Sequence, residues 1–247
     1  MLLLNRLNQW LYRATGFRVT RAAAVEIPIY SDLHQVATTF KKDERWGVWS
    51  DRTLQHYSKR AEPVKGDFAE FGVAQGATFY RLARLAHSQG KRAHAFDSFV
   101  GMGEPGIYDR RLRQHGAHLP GEFSVGGPEG FRTLIEGCGV PQNSYRLWPG
   151  WIPSCFDNVP TSQFFSLAIL DVDHYQPTAD ALNWLWPRLN RGGFLLLDDC
   201  TLGWDLESSR AVKEFLAHTS EYWIDDYFNN QLIIKKGRKR GQTSTID

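Results

Sequence analysis

SLAILDVDHYQPTADALNWLWPRLNRGGFLLLDDC, residues 166–200, decides the fold. Leu167–Leu170 is an apolar run closed by Asp171, the pattern of a strand buried on both faces. From Gln176 to Asn190, residues Ala179, Leu182, Leu185, Trp186 and Leu189 recur at helical spacing. Pro177 falls in the first turn of that helix, where a missing N–H costs nothing. Gly192-Gly193 is expected to end the helical segment, and Phe194–Leu197 forms a second apolar strand closed by Asp198-Asp199. The unit therefore reads strand, helix, strand. It sets Asp171, Asp173, Asp198 and Asp199 at the C-terminal ends of two neighbouring parallel strands, the edge where open parallel sheets bind ligands. One acid at a strand end is often only the polar start of a loop. Four on two strands point to a site.

The same grammar continues upstream. GDFAEFGVAQGATFYRLARLAHSQG, residues 66–90, reads as a strand (Asp67–Phe71), a glycine turn and an amphipathic helix (Ala77–Ser88). The turn has the form Glu70-x-Gly72-x-x-x-Gly76, which brings a helix N-terminus and bare backbone beside a ligand. A nicotinamide cofactor calls for GxGxxG around its pyrophosphate. Here the spacing is looser, and the Glu70 carboxylate repels phosphate but attracts an ammonium group. That contrast favours S-adenosylmethionine over a nicotinamide-dependent oxidoreductase. The following strand, Arg92–Phe96, ends at Asp97, about 20 residues past the turn, where an acid meets ribose hydroxyls.

Residues 98–127 break the sheet rhythm and read as a substrate lid or an irregular surface loop. Its Arg110, Arg111 and Arg113 are most simply a solvated face, and His115 and His118 do not make a metal site. A helix over Phe131–Gly139, a strand over Ser144–Trp148 and the pair Gly150-Trp151 follow. Trp151 either stacks on an adenine or caps the core. A helix over Leu206–His218 then leads to an antiparallel pair, Tyr222–Tyr227 and Gln231–Ile234, joined through Asn229-Asn230.

Composition narrows the function. The chain has 247 residues, 42% hydrophobic content and a net charge of +2, enough core for one large α/β domain and too little positive charge to argue for nucleic acid. Its three cysteines, Cys138, Cys155 and Cys200, have no CxxC spacing, which fits a reducing compartment and a cytoplasmic location. No apolar run reaches the ~20 residues of a membrane span. Leu3, Leu4, Leu7, Trp10 and Leu11 share one helical face without the features of a signal peptide. That face is expected to dock on the body or on a second copy in a homodimer, with weak membrane-surface contact as the sharper alternative. Trp46, Trp49 and Tyr57 either attach this segment to the domain or cover a neighbouring site. The expected organisation is a helical and irregular segment over 1–62, a sheet domain over 63–236 and a basic tail over 237–247.

GDFAEFGVAQGATF, AFDSFVGM, GEFSV with GVP and PGWIP, and above all LDVDHYQPTADALNWLWPRLNRGGFLLLDD, resemble the macrocin O-methyltransferase family. The resemblance covers roughly residues 65–215. It implies the α/β, Rossmann-like class I methyltransferase fold: a mostly parallel seven-stranded sheet with a terminal antiparallel hairpin. It also implies an S-adenosylmethionine-dependent O-methyltransferase acting on a small-molecule or glycan acceptor, commonly a sugar, with magnesium at the acids. Carried over by motif, Asp171, Asp198 and Asp199 become metal ligands, and Asp173 or His174 the general base. Glu70, Gly72, Gly76, Asp97, Ser98, Trp151 and Asp171 line the cofactor. The family's LDGD appears here as Leu170-Asp171-Val172-Asp173, followed by His174 where the sugar enzymes usually carry an apolar residue. A methyltransferase-like scaffold without catalysis is the remaining alternative.

Overall fold

The computed structural model describes residues 49–109, 119–201 and 207–237. The N-terminal amphipathic stretch, Trp46, Arg110, Arg111, Arg113, His115, His118 and the tail beyond residue 237 lie outside them. Among the described residues, the strands are β1 (Asp67–Phe71), β2 (Ala93–Asp97), β3 (Tyr145–Pro149), β4 (Phe165–Leu170), β5 (Leu189–Leu197), β6 (Tyr222–Phe228) and β7 (Gln231–Lys236). The helices are α1 (Asp51–Ala61), α2 (Phe79–Ser88), α3 (Pro128–Gly137), α4 (Tyr175–Leu185) and α5 (Glu207–His218).

One sheet runs β3-β2-β1-β4-β5-β7-β6. Strands β1 to β5 pair in parallel, and β7 inserts antiparallel between β5 and β6. This is the expected mostly parallel sheet with a terminal hairpin. Strand order reverses between β1 and β4, so the crevice outside their C-terminal ends is the topological switch point.

The apolar runs are continuous because each strand feeds two cores. Phe68, Leu167, Ile169, Phe194 and Leu196 pack under α1, α2 and α3. Ala69, Phe71, Ala168, Leu195 and Leu197 pack under α4 and α5. Sheets covered on both faces have this composition. Trp49 and Tyr57 are fully buried in the first of these cores, so they attach their segment to the sheet. Ser50 Oγ accepts the Thr53 amide at 3.1 Å and starts α1. Further along α1, Tyr57 and Arg60 both bond Asp225 of β6, and the Arg60 guanidinium lies 4.6 Å from the Phe194 ring centre.

The decisive stretch differs from expectation at one junction. The helix expected to run to Asn190 ends at Leu185, and Trp186–Arg188 form a single 3-10 turn. Pro187 explains the stop: it has no N–H to give, and its ring collides with the preceding turn. Strand β5 therefore begins at Leu189, before the glycines rather than after them. Leu189 pairs with Phe165 and Phe194 with Leu167, so Asn190–Gly193 bulge out of register. A Cβ on Gly193 would sit 2.8 Å from the Ser166 carbonyl oxygen. Those glycines serve a strand bulge, not a helix stop.

Candidate active site

The four strands nearest the switch point all leave the sheet through left-handed residues. Ala74 (φ 44°) follows β1, Phe99 (φ 59°) follows β2, Asp173 (φ 59°) follows β4 and Asp199 (φ 51°) follows β5. Non-glycine residues there carry strain, and such strain concentrates at functional sites. The strand ends are held together by backbone bonds. Gly72 N–H donates to Phe96 at 2.9 Å, Asp171 N–H to Phe71 at 2.9 Å, and Asp198 N–H to Leu170 at 3.1 Å. This ladder brings Glu70, Asp97, Asp171 and Asp198 to one edge.

Glu70 alternates with Ala69 and Phe71 and so faces the α1–α2 side of the sheet, between Ala95 and Ile169. It is 3% exposed, and its Oε2 has no hydrogen-bond partner among the described residues. Burial pushes its acid well above the usual carboxylate range, with attraction from Arg81 opposing and repulsion from Asp97 adding. A raised folded-state value costs stability as pH climbs past the ordinary 4.5, where the unfolded chain ionises first. Glu70→Gln should therefore raise Tm at pH 7 and lose that advantage at pH 4. The expected gain is about 1–3 kcal/mol, or roughly 2–4 °C per kcal/mol. Equal gains at the two pH values in a thermal scan would refute the assignment.

Asp97 is already engaged by the protein. One oxygen accepts the amides of Val73 (2.8 Å) and Ala74 (3.4 Å), the other the amide of Phe99 (2.7 Å) and the Ser98 hydroxyl (3.4 Å). Burial raises its protonation, and these bonds oppose it. The carboxylate thus shapes the glycine turn, and added hydroxyls would compete with its two long contacts. Ser98 Oγ also donates to the Gly101 carbonyl at 2.8 Å.

The two glycines differ in what they protect. A Cβ on Gly72 would lie 1.8 Å from the Asp171 carbonyl oxygen, so β1 and β4 close only over a bare backbone. A Cβ on Gly76 would meet Phe131 at 3.0 Å and Ile135 at 3.2 Å, so that glycine lets α3 pack. Trp151 is 51% exposed and its ring lies against Gly103, so it does not cap the core.

The acids of β4 and β5 repel one another. Burial, then Asp198, Asp173, Asp199 and Glu70, holds Asp171 well above the carboxylate range. Burial and Asp199 push Asp198 up to about 7, against a hydrogen bond from Gln231. Among the described residues, no group of three or more His, Cys, Asp or Glu side chains is gathered as a metal cage. The donor set is nevertheless all carboxylate oxygen, the type a hard cation takes, and magnesium needs only one or two protein carboxylates besides water.

His174 is 6% exposed and stands at the N-cap of α4. Its carbonyl accepts the Thr178 amide at 3.2 Å and the Thr178 hydroxyl at 2.7 Å. Asp109, from the insertion, supplies what the N-cap lacks: its Oδ1 accepts the Tyr175 amide at 2.8 Å, and its Oδ2 accepts the Gly106 amide at 2.6 Å. The reading from sequence did not single out Asp109, because a cap supplied from 66 residues away leaves no local pattern. Tyr108 and Tyr175 pack beside it, tilted by 49° with ring centres 4.7 Å apart, with Arg210 of α5 over both rings. The insertion is thereby pinned to the helix that carries Asp173 and His174 at its mouth.

A model of the macrocin-O-methyltransferase (TylF) family matches residues 50–221. The chain belongs to this family. It is 36% identical over 146 residues to the 8-demethyl-8-(2,3-dimethoxy-alpha-L-rhamnosyl)-tetracenomycin-C 4'-O-methyltransferase of Streptomyces olivaceus, covering 56% of this chain and 54% of that protein. It is 32% identical over 157 residues to the mycinamicin III 3''-O-methyltransferase of Micromonospora griseorubida, covering 59% and 60%. The chain thus spans little more than half the length of these relatives. In fold it is similar to the calicheamicin methyltransferase CalS11, with a TM-score of 0.60 at 16% identity over 95% of this chain and 91% of that one.

Proposed function

We propose that this TylF-family protein is an S-adenosylmethionine-dependent O-methyltransferase acting on a hydroxyl of a sugar or glycosylated small molecule. The observation that carries the reading is Glu70: a buried carboxylate oxygen without a partner, beside a glycine turn at the switch point. That is a receptor for an ammonium group and a poor neighbour for a pyrophosphate. The acceptor class rests on the rhamnosyl 4'-O-methyltransferase and mycinamicin relatives.

S-adenosylmethionine supplies an electrophilic methyl group held on a sulfonium. The chain's part is alignment, exclusion of water and removal of one proton. Glu70 and the bare Gly72 backbone seat the cofactor, and Asp97 fixes the turn around it. Trp151, exposed at the end of β3, offers a stacking face. Asp173 or His174 takes the proton from the acceptor hydroxyl. Asp171, Asp198 and Asp199 would hold a divalent cation, magnesium by chemistry, which orients the hydroxyl and eases its ionisation. The two buried thiols, Cys155 and Cys200, suit the cytoplasm, and among the described residues no helix is long and apolar enough to cross a membrane.

The test is calorimetric titration with S-adenosylhomocysteine, with magnesium and then with EDTA. Micromolar binding in both conditions is expected, since the cation serves the acceptor rather than the cofactor. A folded sample that binds in neither would overturn the reading.

A further inference from the structure

Helix α4 begins where both candidate bases stand, and its entry is strained. His174 N–H donates to the Val172 carbonyl at 2.6 Å across Asp173, whose φ is 59°. A three-residue turn closed around a left-handed residue is the rare, strained γ form. Such a turn persists only where its surroundings hold it. Ser, Thr, Asp and Asn are the residues whose side chains cap a helix start, and the His174 ring makes no such bond.

Asp109 supplies the hold from another segment. It is 1% exposed, and each carboxylate oxygen takes one backbone amide. Oδ1 accepts that of Tyr175, the first residue of α4, at 2.8 Å, and Oδ2 that of Gly106 at 2.6 Å. Asp109 N–H returns a bond to the Gly106 carbonyl at 3.2 Å, which closes the turn. That turn is itself clamped. Tyr108 packs on Tyr175, Arg210 lies over both rings, and the Tyr175 hydroxyl and Arg210 Nε both donate to Glu214. With its cap provided in this way, the N-cap position can carry a histidine at little cost to the helix start.

We infer that Asp109 is a positioning residue: by holding the Tyr175 amide it fixes the turn that carries Asp173 and His174, and so sets where the acceptor's proton is received. This rests on the assignment of Asp173 or His174 as the base. Asp109 acts through the backbone and does not itself take the proton, since both its oxygens are occupied by amides.

Turnover of S-adenosylmethionine with a panel of methyl glycosides, alongside S-adenosylhomocysteine titration and a thermal scan, separates positioning from stability. Asp109→Ala should lower kcat about a hundredfold, the scale of a misplaced catalytic group, with acceptor KM and S-adenosylhomocysteine affinity within about threefold of wild type. Asp109→Asn keeps one oxygen for Tyr175 but turns its amide toward the Gly106 N–H. Its Tm should fall while kcat recovers to within about fivefold of wild type. Ser50→Ala, which removes the cap of α1, should lower Tm by about 2–4 °C and leave kcat unchanged.

Where Asp109→Ala fails to fold, Tyr175→Pro deletes the same bond from the other side. Proline suits a first helical position, and His174 is already extended at φ −80°, ψ 147°. That variant should be slower than Tyr175→Ala, which keeps the N–H. Wild-type kcat in Asp109→Ala, or a loss in Asp109→Asn or Ser50→Ala as large as in Asp109→Ala, would overturn the inference and leave the methyltransferase reading intact. Wild-type kcat in both Asp173→Asn and His174→Ala would overturn the base assignment, and the inference with it. A wild-type protein that methylates none of the glycosides overturns the acceptor reading and the inference together.

Discussion

Asp199→Asn is expected to lower kcat by about a thousandfold while S-adenosylhomocysteine still binds as in wild type. Asparagine is the right replacement because Asp199 sits at φ 51°, and Asn tolerates the left-handed region that Ala resists. The change removes a negative charge and keeps the turn. A cation that stabilises a developing alkoxide contributes several kcal/mol to the transition state, and a thousandfold loss is about 4 kcal/mol. EDTA should bring the wild type to the same residual rate, and Asp199→Asn should then be insensitive to EDTA. Wild-type turnover that survives exhaustive chelation would remove the metal from the mechanism. Asp173 or His174 would then have to remove the proton without its help.

Gly72→Ala is expected to cost about 2–5 kcal/mol and to abolish measurable cofactor binding. The left-handed φ of 78° penalises any side chain by about 1–2 kcal/mol. The new methyl would also lie 1.8 Å from the Asp171 carbonyl oxygen, which must move. Overpacking of this kind adds about 1–3 kcal/mol. Relief comes only by parting β1 from β4, which spoils the Asp171 N–H bond to Phe71 and widens the crevice. Thermal unfolding should show Tm lowered by roughly 5–20 °C. A variant with unchanged Tm and affinity would mean that the two strand ends are not locked as described.

Much of this arrangement was legible beforehand because buried parallel strands write themselves as apolar runs, and strand-end acids stand directly after them. Asp171 and Asp198 fall into that category. Both hairpin strands were readable from their apolar and aromatic residues on either side of Asn229-Asn230. The end of α4 was not, because the run through Trp186 and Leu189 keeps helical spacing past Pro187, and there the stereochemistry of proline overrides the pattern. The packing of Gly76 was not readable either, since its neighbours are Phe131 and Ile135 of a helix more than 50 residues later. Asp109 carried no sign, since its partner is chosen by tertiary folding alone.

The seating of Trp49, Leu54, Tyr57 and Ala61 in the core beneath β1 and β5 bears on how this protein can diversify. Helix α1 cannot be exchanged as a cassette, because Phe68, Phe194 and Leu196 would face water without it. Each such side chain gives up roughly 1.5–3 kcal/mol when uncovered. Sequence change is left to residues outside that core. Val100, Ile107 and Leu119 stand out in solvent, outside both cores of the sheet.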